Sequence, residues 1–104
     1  MLISTTDTIA DKKIVKQLGL AKGNTIRARH IGRDIMALLR HIVGGEITDY
    51  TKMMAESREQ ALDRMIEDAQ KLGANAVVHL SFSTSMIMGG ASEILAYGTA
   101  VVVE

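Results

Sequence analysis

The segment from Ile94 to Val103 reads Ile-Leu-Ala-Tyr-Gly-Thr-Ala-Val-Val-Val, and a strand built from it carries apolar side chains on both faces. Leu95, Tyr97, Val101 and Val103 fall on one side and Ile94, Ala96, Ala100 and Val102 on the other. Such a strand needs a layer on each face of its sheet. With 104 residues the chain has room for one hydrophobic core, so a single domain over residues 1–104 is expected and a two-domain enzyme is excluded. The second layer is then expected from another subunit, which makes a homo-oligomer the economical arrangement.

The segments upstream supply the first layer. Ile14, Val15, Lys16, Gln17, Leu18, Gly19 and Leu20 alternate roughly, as a strand over 13–21 with one buried face would, and Lys22-Gly23-Asn24 reads as its turn. Leu2 to Thr6 is expected to add a short strand before it. Between Ala28 and Val43, Ala28, Ile31, Ile35, Leu38, Leu39 and Ile42 recur at the spacing of one helix face, and Gly44-Gly45 ends the run. A second helix is expected from Thr48 or Asp49 to Leu72, with Gly73 as its left-handed exit. Its inner face reads Tyr50, Met54, Ala61, Leu62, Met65, Ala69 and Leu72. From Ala74 to Met86 the chain alternates again, with Val78, Leu80, Phe82 and Met86 on one side and Val77, His79, Ser81, Ser83 and Ser85 on the other. Gly89-Gly90 should close this strand and the last into a hairpin. The order is β-β-α-α-β-β, an α+β fold of two layers with an antiparallel sheet.

Lys plus Arg and Asp plus Glu both total 12, so no bulk field exists to hold a nucleic acid or an anionic membrane surface. One Phe, two Tyr and no Trp leave no stacking platform for single strands. Cys is absent, which removes disulfides, thiolate metal sites and thiol nucleophiles. The first residues lack a basic stretch followed by an apolar one, and no apolar run approaches the roughly 20 residues that cross a bilayer. A cytoplasmic protein is expected.

Chemistry has few candidates. His30 and Asp34 stand four apart on the first expected helix and could offer an imidazole and a carboxylate to one metal ion, although a solvated His beside a carboxylate is the favoured explanation by about four to one. His41 lies about three turns further on and cannot share that ion. Met86 and Met88 share a strand face, but Met is also a common filler of cores. Glu46 and Asp49 suit the start of the long helix, where the macrodipole favours carboxylates. Tyr50 and Arg58 are two steps of four apart through Met54, and Arg58 on an apolar stripe would want a carboxylate such as Asp34 or an anion. No hydrolase elbow or phosphate loop is present.

Arg33-Asp34, Ile42-Val43-Gly44-Gly45-Glu46, Tyr50, Arg58, Ala61, Leu72-Gly73-Ala74-Asn75-Ala76-Val77-Val78 and Tyr97-Gly98-Thr99-Ala100-Val101 form a string that resembles the YbjQ-like family of small bacterial and archaeal proteins. That family carries a heavy-metal-binding label without an agreed activity. The resemblance implies a subunit related in outline to that of dodecin, assembling into a ring-shaped homopentamer. Its polar matches, Arg33, Asp34, Glu46, Tyr50 and Arg58, are the expected ligand-binding residues, and any metal would rest on His30 and Asp34. The expected function is a non-enzymatic binding or scaffold protein that takes a small ligand or metal ion at its subunit junctions. The alternatives are a metal-binding module on His and carboxylate ligands, and a small enzyme with a site between subunits built from Arg33, Asp34, Tyr50 and Arg58.

Overall fold

Five elements follow one another in a computed structural model that describes residues 1–27, 48–87 and 91–104. They are β1 (Leu2–Ile3), β2 (Ile14–Arg27), α1 (Thr48–Lys71), β3 (Ala76–Ile87) and β4 (Ala91–Val103). The strands form one sheet in the order β1-β3-β4-β2. β4 pairs antiparallel with both β2 and β3, whereas β1 lies parallel to β3. The sheet is therefore mixed, which corrects the expected antiparallel one. The short first strand has no hairpin partner in sequence, and its ladder position beside β3 satisfies edge groups that would otherwise face solvent. The expected helix over 28–43 and the turn at Gly89-Gly90 lie outside the described residues.

β2 does not turn at Lys22-Gly23-Asn24 but continues for 14 residues to Arg27, opposite Ser92. Gly23 serves an approach, not a turn. A Cβ built on it would stand 2.5 Å from the Ala61 carbonyl oxygen and 2.6 Å from the Arg64 carbonyl carbon, so the backbone of α1 rests directly on the strand there. Small residues on both partners make this contact close: Ser57, Ala61 and Ala69 on α1, and Ala21, Ala96 and Ala100 on the sheet, are all fully buried. Met65 fills the centre, joined by Val77 and Ile94, with Leu18, Met54, Leu62, Ile66, Ala74 and Leu80 around it. Thr25, also buried, donates its hydroxyl to the Ser57 carbonyl at 3.2 Å and so ties β2 to the helix.

The buried stripe of α1 thus runs Ser57, Ala61, Met65, Ala69 at a spacing of four. Leu72, expected on this face, is exposed, because the helix is ending where it sits. Gly73 takes φ of +91°, the Gly73 amide donates to Gln70 at 3.0 Å, and the Ala74 amide donates to Ala69 at 3.1 Å. This is a Schellman exit, and it packs Ala74 back on the core.

β3 departs from simple alternation. Val78 stands opposite Thr99 but Ser81 stands opposite Tyr97, so one extra residue is accommodated between them. His79 takes φ of 59°, its amide donates to Thr6 and the Leu80 amide to Ser4. The bulge switches faces: Val77 and Leu80 join the core under α1, while Val78 joins Ala76, Val101 and Val103 on the opposite side. Opposition to Ala96 and Ile94 then puts Phe82 and Thr84 on the helix side, and opposition to Tyr97, Leu95 and Glu93 puts Ser81, Ser83 and Ser85 on the other. The expected grouping of Val78 with Leu80, Phe82 and Met86 fails for this reason.

The second small core, on the face away from α1, is closed by Ile9 and Ile14 from the chain's own start. Part of the cover that the last strand requires is thus supplied in the same subunit. Asn75 seals this end: its side-chain amide donates to the Val103 carbonyl at 2.9 Å and accepts the Val103 amide at 2.8 Å, as a further strand residue would.

Candidate functional site

Of the residues that the sequence singles out, His30, Arg33, Asp34 and Glu46 lie outside the described residues, as does the side chain of Tyr50, whose backbone belongs to the first turn of α1. Arg58 is exposed, next to the buried Ser57 on the helix. The apolar stripe passes through Ser57 and leaves Arg58 beside it, so the guanidinium does not demand an internal carboxylate. Among the described residues, no three His, Asp or Glu side chains gather as metal ligands would. His79 is exposed at the β3 bulge, and Met86 is 82% exposed.

Among the described residues, the sheet face opposite α1, beyond the Ile9 and Ile14 cover, carries exposed apolar side chains. Register with β4 places Leu20, Lys22, Asn24 and Ile26 of β2 on it, next to Leu95, Tyr97 and Thr99, with Ser81, Ser83 and Ser85 of β3 completing the strip. Leu20 is 59% and Ile26 58% exposed, and Tyr97 stands 36% exposed between them and the serines. Asn24 donates its amide to the Glu93 carboxylate at 2.9 Å across the β2–β4 pair. Aliphatic side chains, one phenol and a row of hydroxyls on one sheet face suit a protein surface of mixed polarity.

The two long edges of the sheet differ chemically. On β2, the edge turned away from β4 is occupied from above by α1: Asp68 accepts the Lys22 amide at 2.9 Å, and Arg64 donates to the Asn24 carbonyl at 2.6 Å. Two side chains one helical turn apart thereby imitate a neighbouring strand. On β3, β1 and the residues after it pair as far as the Leu80 amide, and from Ser81 onward no strand lies beyond β3 among the described residues. Sequence reasoning placed Arg64 and Asp68 at no site. A clue lay in their spacing of four beside the core positions Ala61 and Met65, which puts both on the flank of the buried stripe.

Among the described residues, one helix laid over the β2 side of a mixed four-stranded sheet defines a small α+β domain. The chain belongs to the YbjQ family, whose model, described as "Putative heavy-metal-binding", matches residues 1–104. It is 63% identical over 101 residues to a UPF0145 protein of Methanosarcina acetivorans, covering 97% of this chain and 95% of that one. It is 60% identical to a UPF0145 protein of Dehalococcoides mccartyi over the full length of both, and 59% identical to one of Pyrococcus furiosus, covering 100% of this chain and 91% of the other. A crystal structure of a protein of unknown function from Pediococcus pentosaceus, assigned to the DUF74 family, shares the fold with a TM-score of 0.60 at 18% identity, over 100% of this chain and 98% of that one. Among the described residues no helix is long and apolar enough to cross a membrane.

Proposed function

We propose that the chain is a non-enzymatic, cytoplasmic binding or scaffold protein that works as a homo-oligomer and takes its ligand where subunits meet. The observation that carries this reading is the sheet face opposite α1, on which Leu20, Ile26 and Tyr97 are exposed. On this face Leu20 stands opposite Thr99, Tyr97 opposite Lys22 and Ile26 opposite Glu93, so apolar and polar side chains are interleaved as in an interface of mixed polarity, and a subunit of the same kind is the partner always present at matching concentration. A five-membered ring is the arrangement that the family resemblance implies. Arg33, Asp34, Glu46, Tyr50 and Arg58 are the ligand-binding residues of this reading, and Arg58, exposed on α1, is accessible to a neighbouring subunit.

Native mass spectrometry of the purified chain, repeated after denaturation, tests it. A multiple of the chain mass with an excess that disappears on denaturation supports an oligomer with bound cargo, and the excess mass separates an ion from an organic ligand. A monomer at micromolar concentration overturns it. The second reading, a metal-binding module on His30 and Asp34, is favoured by the family's description. Retention of the same metal content by a His30→Ala protein removes it.

A further inference from the structure

Three side chains from three strands line up across the sheet face opposite α1. Register sets Lys22 of β2 opposite Tyr97 of β4, and Tyr97 opposite Ser81 of β3. The Lys22 amide is turned outward to Asp68, so Lys22 and Tyr97 form a non-hydrogen-bonded pair, the closer kind, with Cα atoms about 4.5 Å apart. Both side chains are long and end in a donor, an ammonium and a phenol hydroxyl, whereas Ser81 is short and reaches less far from the sheet. Lys22 and Tyr97 are both exposed, and among the described residues neither donor has an acceptor or an ion-pair partner. The surroundings of the pair are unequal on its two sides. Glu93 lies beyond the next row, where Asn24 donates to its carboxylate at 2.9 Å. On the other side stand Leu20, 59% exposed, and Thr99 opposite it, neither of them charged.

We propose that Lys22 and Tyr97 bind the carboxylate of a small amphipathic acid, the ammonium supplying the counter-charge, the phenol donating its hydroxyl to a carboxylate oxygen, and the apolar body of the acid lying over Leu20. One positive charge matches a monoanion, whereas a phosphate with two charges would stay partly unneutralised on a face that also carries Glu93. Glu93 sets the direction of the acid's body as well: only on the Leu20 side is apolar surface covered without approaching a carboxylate. The plainer arrangement lays the ammonium on the Tyr97 ring with both tips in water, and it needs the ring but not the hydroxyl. The inference deepens the proposed function and rests on it in one respect: a neighbouring subunit over this face would shield the pair from water and strengthen a contact that solvent otherwise screens.

The test titrates wild type, Lys22→Gln and Tyr97→Phe with sodium octanoate, sodium acetate and inorganic phosphate by calorimetry, while native mass spectrometry records the assembly of each protein. Lys22→Gln keeps the backbone amide that Asp68 holds, and Tyr97→Phe keeps the ring, so both variants should fold. Wild type is expected to bind octanoate saturably and about tenfold or more tightly than acetate or phosphate. Lys22→Gln should weaken octanoate about tenfold or more, and Tyr97→Phe severalfold. In nitrogen-labelled wild type the Leu20, Lys22 and Tyr97 amide resonances should shift together along the same binding curve. Absence of saturable octanoate binding overturns the proposal, as does acetate or phosphate bound as tightly, octanoate affinity that either substitution leaves unchanged, or shifts confined to other residues. An assembly that fails to bind octanoate sinks the carboxylate site and leaves the oligomer standing. A monomer that binds it through Lys22 and Tyr97 keeps the site and sinks the oligomer.

Discussion

Gly23 and Asn75 each perform a task that no other side chain could take over at the same position. At Gly23 the hydrogen is the group that lets the α1 backbone at Ala61 and Arg64 reach the strand. A methyl there would meet main chain, which cannot rotate aside as a side chain can. Gly23→Ala is therefore expected to destabilise by about 3 kcal/mol or more, at or above the top of the usual overpacking range, despite the general preference of helices and strands for Ala over Gly. Urea denaturation measures it, and a loss below that of an ordinary surface substitution would show that the helix can lift. Asn75 pairs with both polar groups of Val103. Asn75→Ala leaves an amide and a carbonyl of a partly buried strand end to find water, at a cost of about 1–3 kcal/mol, and hydrogen exchange at the Val103 amide should accelerate more than at Val101. His79 is a different case: its φ of 59° is held by the amide contacts of the bulge to Thr6 and Ser4, so the strain is borne by the fold and not by its imidazole.

At the level of elements, α1 protects β2 as well as covering it. Asp68 and Arg64 sit one turn apart and close the amide and carbonyl at the centre of the exposed edge. Each bond is solvent-exposed, so replacing both with Ala should cost only about 1 kcal/mol of stability. The larger effect is on association: with the caps gone, the Lys22 amide and the Asn24 carbonyl of β2 are left open to another strand. The double Ala protein should show faster exchange at the Lys22 amide and new, concentration-dependent higher assemblies by light scattering. Unchanged exchange at Lys22 would mean that the caps add nothing to the edge. Which parts of this were legible follows from what periodicity encodes. The bounds of α1 were readable because caps, apolar spacing and Gly73 agree, and the two faces of β4 were readable because period two survives along its length. The β3 bulge was not, since one extra residue at His79 reverses every later side chain without altering composition. Gly23 was read as a turn because a glycine needed for close approach and one needed for a bend look the same until the facing helix is known. The parallel place of β1 and the Arg64–Asp68 caps depend on contacts between segments far apart in sequence, which no local pattern contains. The candidate site residues rested on resemblance and on helical spacing, and of them Arg58 alone has a described side chain, found beside the apolar stripe that the sequence had put it on.

For the whole molecule, the question is how a sheet with two apolar faces is covered, given that one helix packs on it among the described residues. The faces are treated unequally. The helix side is closed over β2 and β4, and the other side is closed at one end by Ile9 and Ile14, leaving Leu20, Ile26 and Tyr97 to solvent. Burying what remains of two half-exposed aliphatic side chains contributes about 1 kcal/mol each by area, which is too little to hold a fold together but enough to bias association at several symmetric junctions. Stability should then be linked to concentration, because any partner that binds the folded chain alone raises its melting temperature by mass action. Wild-type protein is expected to melt several degrees higher when its concentration is raised about a hundredfold, and Leu20→Ser with Ile26→Ser should abolish that dependence while keeping the dilute melting temperature within a few degrees. Differential scanning calorimetry over that range distinguishes the cases. A concentration-independent transition in wild type would mean that the open face is tolerated by the subunit alone, and the exposed strip would then have to be explained by a partner of another kind.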